Sequence, residues 1–451
     1  MTAQATGDRG VFLTRRDLLH MGALGSMALP MNGARAQAAQ STRAEGKPRA
    51  SHAWLNKRQR IYWYDQYALN QQATAFANYD PDRIAAESAA TGADIVAVYA
   101  ANQFSMAYYP SKIWPMHPNL KGRDCFGEVA SRLQRQGQKV IAYINWLESR
   151  HPEWYVVPLG GEPAKEFPLV EWAQPEDPEW RVQAVPGGAW RFACLNSPRR
   201  EQVVQIAREI VEQYKPDGFH LDMCFNSCVC VCDYCRPSLE AICRTKDITI
   251  EAINAHWREF IDWRNECSAS LVGAVSAVLR EHGVFAAHNG QNPLWMSPVY
   301  GFDKNLLPHL DLYVSEIFYD LNASGLTMRW HKAIGKPSCE LLTSTSPHYA
   351  HLSRPLAAWQ VSAASAKANG CNVFGPCGVG AYPDTTTSKR LQETVRKGLD
   401  TFMEDADLQV NARPCAKVAL VFSWATRKYF REGRMDWSQA VSYTHLTLPT
   451  N

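Results

Sequence analysis

The sequence predicts a parallel α/β fold, a (β/α)₈ TIM barrel, on three observations. Eight short runs rich in β-branched and aromatic residues alternate with helix-like segments between residues 61 and 403, which is the pattern of repeated βαβ units. With 451 residues, 46% of them hydrophobic and 20% charged, the chain can bury a core of that size. The alternative, an open doubly wound sheet, is disfavoured because no glycine-rich nucleotide-binding fingerprint follows any of the runs.

The predicted elements follow one another in the order that a barrel requires. Helices are expected at 200–214, 253–281 and 389–403, where apolar residues recur at helical spacing. The third crossover, 147–199, is rich in Pro, Trp and Gly and predicts an elaborated loop over one barrel mouth. The predicted strands cover residues 61–67, 94–100, 139–146, 218–223, 284–289, 310–318, 337–344 and 371–376.

The C-terminal part of the chain does not fit inside the barrel, which is assigned to residues 58–408. A ninth β-rich run at 414–422 predicts that a flavodoxin-like α/β domain begins with segment 409–440 and is truncated. The final residues, 441–451, resemble the in-frame translation of a transposon-end adapter used in sequencing-library preparation. The alternative is a genuine strand, because the run is rich in Thr and aliphatic residues.

The N-terminal segment 1–38 has the layout of a twin-arginine export signal. Arg15 and Arg16 precede a weakly apolar stretch at 21–31, and small residues follow it, while the alternative is an ordinary amphipathic helix. The apolar stretch is too short and too rich in glycine to span a membrane. We therefore expect a periplasmic or secreted protein with no membrane anchor in its mature form, and a linker at 39–57.

The composition favours a neutral substrate. The formal net charge is +3, and residues 1–36 carry four Arg and two Asp, so removal of that segment leaves about +1. Such a balance excludes the basic surface expected of a protein that binds nucleic acid. Fifteen Trp and an aromatic content of 11% supply flat rings, most of which belong to the core, although such rings also stack on sugars.

Candidate reactive groups lie where strands end, because barrel enzymes build their active sites there. Asp222 and Glu316 each end an apolar run, and glycoside cleavage needs two carboxyl groups flanking one bond. They are the predicted catalytic pair, although strand-end carboxylates also cap helices, and a buried histidine is more often a core residue. Further polar and aromatic residues at strand ends are expected to bind a polyhydroxylated substrate: Asp65, Tyr67, Asn102, Asn145, Trp146, His288, Asn289, Gln291, Tyr319 and Glu340.

Three motifs carry a family resemblance over roughly residues 58–440. The segments DGFHLDMC at 217–224, YPSKIWPMHP at 109–118 and CFGE at 125–128 resemble the barrels described as hypothetical glycosyl hydrolase 6. Those barrels are often fused to a β-galactosidase trimerisation domain, and VALVFSWATR at 418–427 is similar to its start. The resemblance implies a barrel glycosidase and a homotrimer in the full-length protein.

One departure bears on the substrate. Trimerising β-galactosidases carry an Asn-Glu pair on strand four that supplies the acid, whereas this sequence has Leu221-Asp222 there. The difference favours an Asp nucleophile, as in fucosidase-like barrels. The predicted function is an exported, retaining glycoside hydrolase that is fucosidase-like or β-galactosidase-like and requires no cofactor for catalysis.

A cluster of cysteines follows strand four directly. Cys228, Cys230, Cys232 and Cys235 can supply a tetrahedral zinc site, and the spacing at 230–235 is similar to the structural zinc cluster of trimerising β-galactosidases. Two disulfides formed after export are the alternative. In either case the loop is expected to be structural, beside Asp222.

Two rival functions remain open. A catalytically degenerate barrel would bind carbohydrate without cleaving it. A zinc-dependent hydrolase such as a deacetylase is the third possibility, but the predicted barrel mouth lacks the paired histidine ligands that an open catalytic zinc usually requires.

Overall fold

A closed barrel of eight parallel strands forms the centre of the protein, as the sequence predicts. The computed structural model describes residues 50–66, 74–146, 149, 151–157, 159–160, 192–225, 229–290, 301–317, 321–343, 355–377, 384–406, 415, 418–429 and 447–449. The strands follow chain order around the barrel, and the last pairs with the first. They are Gln59–Tyr64 (β1), Ile95–Tyr99 (β2), Lys139–Asn145 (β3), Gly218–Asp222 (β4), Phe285–Asn289 (β5), Leu312–Ile317 (β6), Ser338–Thr343 (β7) and Val373–Cys377 (β8).

Helices surround the barrel and connect its strands. The predicted helix 389–403 is confirmed residue for residue, and the helix predicted at 200–214 begins one residue earlier. The single helix predicted at 253–281 is wrong, because His256, with φ −120° and ψ 34°, divides it into two. The helices are Pro81–Ala90 (α1), Cys125–Arg135 (α2), Arg199–Tyr214 (α3), Arg236–Cys243 (α4), Ile250–Ala255 (α5), Trp257–Glu281 (α6), Leu321–Ala333 (α7), Leu356–Ala368 (α8), Lys389–Met403 (α9) and Trp424–Tyr429 (α10).

Side chains on each strand alternate between the barrel interior and the helical layer. Phe374 on β8 contacts Trp359 of α8 and Phe402 of α9, so it faces outward. Its register partners on the neighbouring strands, Arg60 and Glu340, share that outward face. Because both faces of the sheet are covered, the strands are almost continuously buried and rich in β-branched and aromatic residues.

At the base of the barrel, the interior face of β4 packs closely against β5. Gly218 opens β4, and a Cβ atom at this position would lie only 2.2 Å from the ring of Phe285 on β5. A side chain at Gly218 would therefore displace that ring from the base of the barrel. The interior positions that follow on β4 are His220 and Asp222, at alternate residues up to the carboxyl end.

A short segment after the barrel packs against α6. Lys428 on α10 is buried and pairs with Asp262 at 2.8 Å and with Asp303 at 2.9 Å. The strand predicted at 414–422 is observed as Val418–Leu420 (β9), which pairs antiparallel with Thr447–Pro449 (β10). In the described part of the chain, no helix combines the length and the apolar character needed to cross a membrane.

Candidate active site

Polar side chains gather on the interior face at the carboxyl ends of the strands. Asn145 at the end of β3 and Asp222 at the end of β4 are register partners, and both lie one pleat above Tyr143 and His220, which are also partners. The same register continues to Asn289 at the end of β5. The barrel thus brings together a carboxylate, two amides, a phenol and an imidazole.

Asp222 is the carboxylate at the centre of this group, with 8% of its surface exposed. Its Oδ2 accepts a 2.7 Å hydrogen bond from the hydroxyl of Tyr143, and its Oδ1 accepts a 2.9 Å bond from the backbone N–H of Met223. Burial by itself would raise the pKa of Asp222, but the nearby His220, the Tyr143 hydroxyl and His288 outweigh it and lower that pKa below its ordinary value. Asp222 is therefore ionised at neutral pH.

The backbone after Asp222 is strained. Met223 has φ 60°, in the left-handed region that residues other than glycine rarely occupy. Such a conformation costs on the order of 1 kcal/mol or more and recurs at functional sites, where the turn serves to position a side chain. Here the turn aims the Met223 N–H at Asp222 Oδ1, which fixes the carboxylate from the side opposite Tyr143.

A second carboxylate joins the same network through two tyrosines. Asp65, which follows β1, is buried and accepts a 2.7 Å hydrogen bond from the hydroxyl of Tyr99 on β2. The ring of Tyr99 stacks on that of Tyr143, with centroids 4.0 Å apart, and Asn145 Nδ2 donates to the Tyr143 hydroxyl at 3.1 Å. The structure thus links Asp65 and Asn145, two predicted binding residues, to the carboxylate of Asp222.

The third carboxylate, Glu316, lies on the interior face of β6. Val314 precedes it by one pleat and pairs with Asn289, so all three residues face the barrel interior. Asn289 Nδ2 donates to Glu316 Oε2 at 3.3 Å. The predicted partners Asp222 and Glu316 therefore lie on the same interior face at the same end of the barrel, and the Asn289 amide stands on the strand between theirs.

Two predicted binding residues have structural roles instead. Trp146 is fully buried, its indole N–H donates to the Ala193 carbonyl at 2.8 Å, and Arg199 covers its ring at 5.2 Å, so no ring face is left for a sugar. Asn102 is also fully buried, and its Oδ1 accepts the backbone N–H groups of Phe104 and Met106, both at 3.0 Å. Trp146 directly follows β3 and Asn102 lies three residues after β2, and the sequence could not show which way either side chain points.

His288 and Glu340 lie on the wrong face of their strands for the predicted role. His288 pairs with Tyr313, whose ring contacts His331 of α7, so both face the helical layer. His288 Nδ1 donates to the Leu221 carbonyl at 2.6 Å, and burial lowers its pKa to about 4, so the ring is neutral. Glu340 is fully buried on the outer face of β7. Neither side chain points into the mouth.

Four predicted site residues lie outside the described residues: Tyr67, Gln291, Tyr319 and Cys228.

The prediction missed the aromatic layer beneath the carboxylates. Tyr143 and His220 stack at 5.5 Å with nearly parallel rings, and Trp63 on β1 meets His220 edge-on at 4.9 Å. The alternation of side chains along a strand could have predicted these three rings, because each lies two residues before a predicted site residue. Tyr143 precedes Asn145, His220 precedes Asp222, and Trp63 precedes Asp65.

Arg199 was also missed, and it ties two loops to the site. Arg199 is fully buried. Its guanidinium carbon lies 5.2 Å from the ring centroid of Trp114 and 5.2 Å from that of Trp146. It donates to the carbonyls of Trp146 and Asn145 at 3.0 and 3.2 Å and to Ser105 Oγ at 2.7 Å. Arg199 thereby fixes the backbone that carries Asn145.

Four buried cysteines form a separate cluster near the barrel mouth. Cys230, Cys232 and Cys235, all predicted ligands, converge with Cys194, which precedes α3, and their sulfur atoms lie within 4.8 Å of one another. The sulfur atoms of Cys194 and Cys235 are 3.3 Å apart, well beyond the roughly 2.05 Å of a disulfide bond. All four cysteines are free thiols, which disfavours the alternative of two disulfides.

The surroundings of these sulfurs fit a metal centre. A tetrahedral zinc with Zn–S distances of about 2.3 Å sets its sulfur atoms about 3.8 Å apart, a spacing that this cluster can supply. Backbone N–H groups of Asn196 and Val157 donate to Cys194 and Cys230, each at 3.4 Å, as expected around thiolate ligands. The four residues can therefore hold one zinc ion.

Comparisons with known proteins agree with this architecture. Residues 80–223, which end just after Asp222, match the family model described as hypothetical glycosyl hydrolase 6. No curated protein matches the chain. The fold is similar to α-L-fucosidase isoenzyme 2 from Paenibacillus thiaminolyticus, with 17% identity, a TM-score of 0.60, and coverage of 81% of this chain and 51% of that one. The chain thus spans about half the length of that fucosidase.

A second similar structure is the PgaB (BpsB) glycoside hydrolase domain from Bordetella bronchiseptica. It has 13% identity and a TM-score of 0.53, and the match covers 75% of this chain and 98% of that one. At such identities the likeness concerns the fold. The chain therefore has the (β/α)₈ barrel of known glycoside hydrolases, and its segment 80–223 resembles the hypothetical glycosyl hydrolase 6 family.

Proposed function

We propose that this protein is a glycoside hydrolase that acts by retention, with Asp222 as the nucleophile. The observation that carries the proposal is the carboxylate of Asp222, held ionised by Tyr143, Met223 and His220 at the carboxyl end of β4. A nucleophilic carboxylate must be charged and oriented before the sugar binds, and Asp222 meets both conditions.

The proposed reaction has two steps. In the first, Asp222 bonds to the anomeric carbon as the bond to the leaving oxygen breaks, and the carboxyl group of Glu316 protonates that oxygen. In the second, the carboxylate of Glu316 takes a proton from water, and the resulting hydroxyl attacks the anomeric carbon and displaces Asp222. Asn145 and Asn289, beside these carboxylates, bind sugar hydroxyls. One water is consumed, and no cofactor takes part.

The substrate class follows from the residue at the end of β4 and from the fold. The nucleophile of the proposed reaction is an aspartate, and a likeness to an α-L-fucosidase supports a fucoside, with a β-galactoside as the second choice. We expect the protein to release nitrophenol from at least one aryl fucoside or galactoside in a panel of aryl glycosides.

The same panel separates the rival functions. Sugar binding detected by calorimetry, with no release from any aryl glycoside, would instead support a degenerate carbohydrate-binding barrel. Turnover that a chelator abolishes at once, without unfolding, would support a zinc-dependent hydrolase.

We also propose that Cys194, Cys230, Cys232 and Cys235 bind one structural zinc ion. Support comes from their convergence and burial, and from the N–H groups that face the sulfurs. The metal would bind the loop before α3 to the loop after β4, beside Asp222, and would take no part in the chemistry. Four protein ligands would leave no open coordination position for a substrate.

The proposal also includes export of the protein and its assembly into an oligomer. The twin-arginine signal at 1–38 would export the protein already folded, so that zinc acquired in the cytoplasm would stay bound. The segment that resembles a trimerisation domain supports a homotrimer of the full-length protein.

A further inference from the structure

We propose that His220 is a positioning residue for Asp222: its Nε2 orients and stabilises the carboxylate from beneath, inside the barrel. This inference rests on the proposed role of Asp222 as the nucleophile. His220 does not touch substrate in this account, because Asp222 lies between it and the barrel mouth on the same strand face.

The imidazole of His220 is buried beside the carboxylate of Asp222. His220 is 1% exposed, and its Nε2 lies 3.7 Å from Oδ1 of Asp222, the oxygen that also accepts the Met223 N–H. The other oxygen, Oδ2, is held by Tyr143. Tyr143 and the Met223 N–H thus occupy two sides of the carboxylate, and His220 faces it from a third side, inside the barrel.

Two aromatic rings hold the imidazole of His220 in place. Tyr143 stacks on one face of the imidazole with an interplanar angle of 9°, and Trp63 meets it at 89°. These two rings fix the plane of the imidazole, with its Nε2 edge toward Asp222. A residue that served only to fill space would need no nitrogen at that edge.

The two ring nitrogens of His220 have different surroundings. Nδ1 of His220 is buried and has no hydrogen-bond partner in the part of the chain that the structure describes. A proton on Nδ1 would be buried without an acceptor, which costs free energy, whereas a proton on Nε2 points at a carboxylate. The favoured tautomer therefore presents an N–H dipole to Asp222.

Several titratable groups lie near Asp222 on the elements around it. Tyr143 donates to it from β3, Cys224 lies in the turn that follows β4, and His288 lies on the outer face of β5, close enough to influence the carboxylate electrostatically. His288 is neutral, and the thiol of Cys224 keeps its proton because burial raises its pKa. Among the described residues, Tyr143 and His220 are thus the side chains that present donors to the carboxylate.

The test measures the titration of Asp222 directly, in the intact protein. Carboxyl groups of ¹³C-labelled aspartate are followed by NMR as a function of pH, and the Asp222 signal is identified by its loss in Asp222→Asn. In His220→Phe, which keeps the stacked ring and removes the nitrogens, we expect the midpoint of Asp222 to rise by about one pH unit.

A matched pair of amides separates positioning from packing. The amide nitrogen of glutamine can reach the place of Nε2, and that of asparagine only the place of Nδ1. His220→Gln is therefore expected to restore the wild-type midpoint to within about 0.3 units, and His220→Asn is not. In an activity assay, His220→Phe should lower kcat about tenfold with KM unchanged, and the acid limb of the pH profile should move upward with the midpoint.

Each outcome of the titration either supports or overturns the positioning role of His220. An unchanged Asp222 midpoint in His220→Phe, or equal restoration of the midpoint by His220→Asn and His220→Gln, would overturn it. The NMR titration needs no substrate, so it decides the role of His220 even if no glycoside is cleaved, a result that would count against the proposed function alone.

Discussion

Replacement of Asp222 by Asn is expected to lower kcat by at least about 10³-fold and to leave the fold intact, because the substitution keeps the shape of the side chain and removes the attacking charge. Asp222 is held by Tyr143 and by the Met223 N–H at an oriented position that no other described carboxylate shares. The measurement is the rate of aryl glycoside hydrolysis, with circular dichroism to follow the fold. A small added nucleophile such as azide should restore part of the rate.

Asp217, which directly precedes β4, offers a matched control. It lies at the base of β4, where its carboxylate accepts from the Val140 N–H at 2.9 Å and from Lys139 Nζ at 2.8 Å. Asp217→Asn should retain kcat because that carboxylate lies at the opposite end of the barrel from Asp222. Full activity in Asp222→Asn would remove the proposed nucleophile.

Replacement of Cys194 by Ser is expected to abolish zinc binding and to lower Tm by at least about 5 °C, because metal binding at such a site contributes directly to folding. The substitution removes one of four converging ligands, and the sulfurs of the other three are too few to close a tetrahedron. Metal content is measured by mass spectrometry of the purified protein. Cobalt substitution gives a second readout, because sulfur-to-cobalt charge transfer reports the ligand set.

Two further cysteines serve as controls. Cys243 on α4 is buried in the same apolar cluster as the ligands but is not among the four, so Cys243→Ser should keep its zinc. Cys228→Ser should keep it as well, which separates the four converging cysteines from the ligand set that sequence spacing predicts. One zinc per chain in Cys194→Ser would contradict the assignment.

The barrel could be predicted from the sequence because its determinants are local. Each strand is a short buried run, and each crossover has its own helical periodicity, as the agreement at α9 illustrates. The break at His256 could not be predicted, because apolar spacing continues on both sides of it and the division depends on backbone angles at one residue. Propensity describes segments, whereas such a break depends on tertiary packing.

The site was predictable only in part, because side-chain direction decides it. Asp65, Asn145, Asp222, Asn289 and Glu316 share the interior face, whereas His288, one residue from Asn289, faces the helices. A shift of one residue in register reverses the face, and the strand ends were predicted with errors of that size.

The cysteine cluster shows a second limit. Three of the four converging cysteines follow one another after β4 and form a visible motif, but Cys194 belongs to another loop. Its neighbour Ala193 accepts the Trp146 indole N–H, and this contact joins the cluster to the loop after β3. Only the fold reveals that the two loops meet, because no spacing in the sequence relates them.

The most direct test of the central claim is to trap the covalent intermediate. The protein is incubated with 2-deoxy-2-fluoro glycosyl fluorides of fucose and galactose, and the labelled peptide is identified by mass spectrometry. The account predicts one sugar per chain on the peptide that carries Asp222, with loss of activity in proportion to labelling. A label on a different carboxylate, or rapid turnover of aryl glycosides with inversion of configuration and no label, would contradict it.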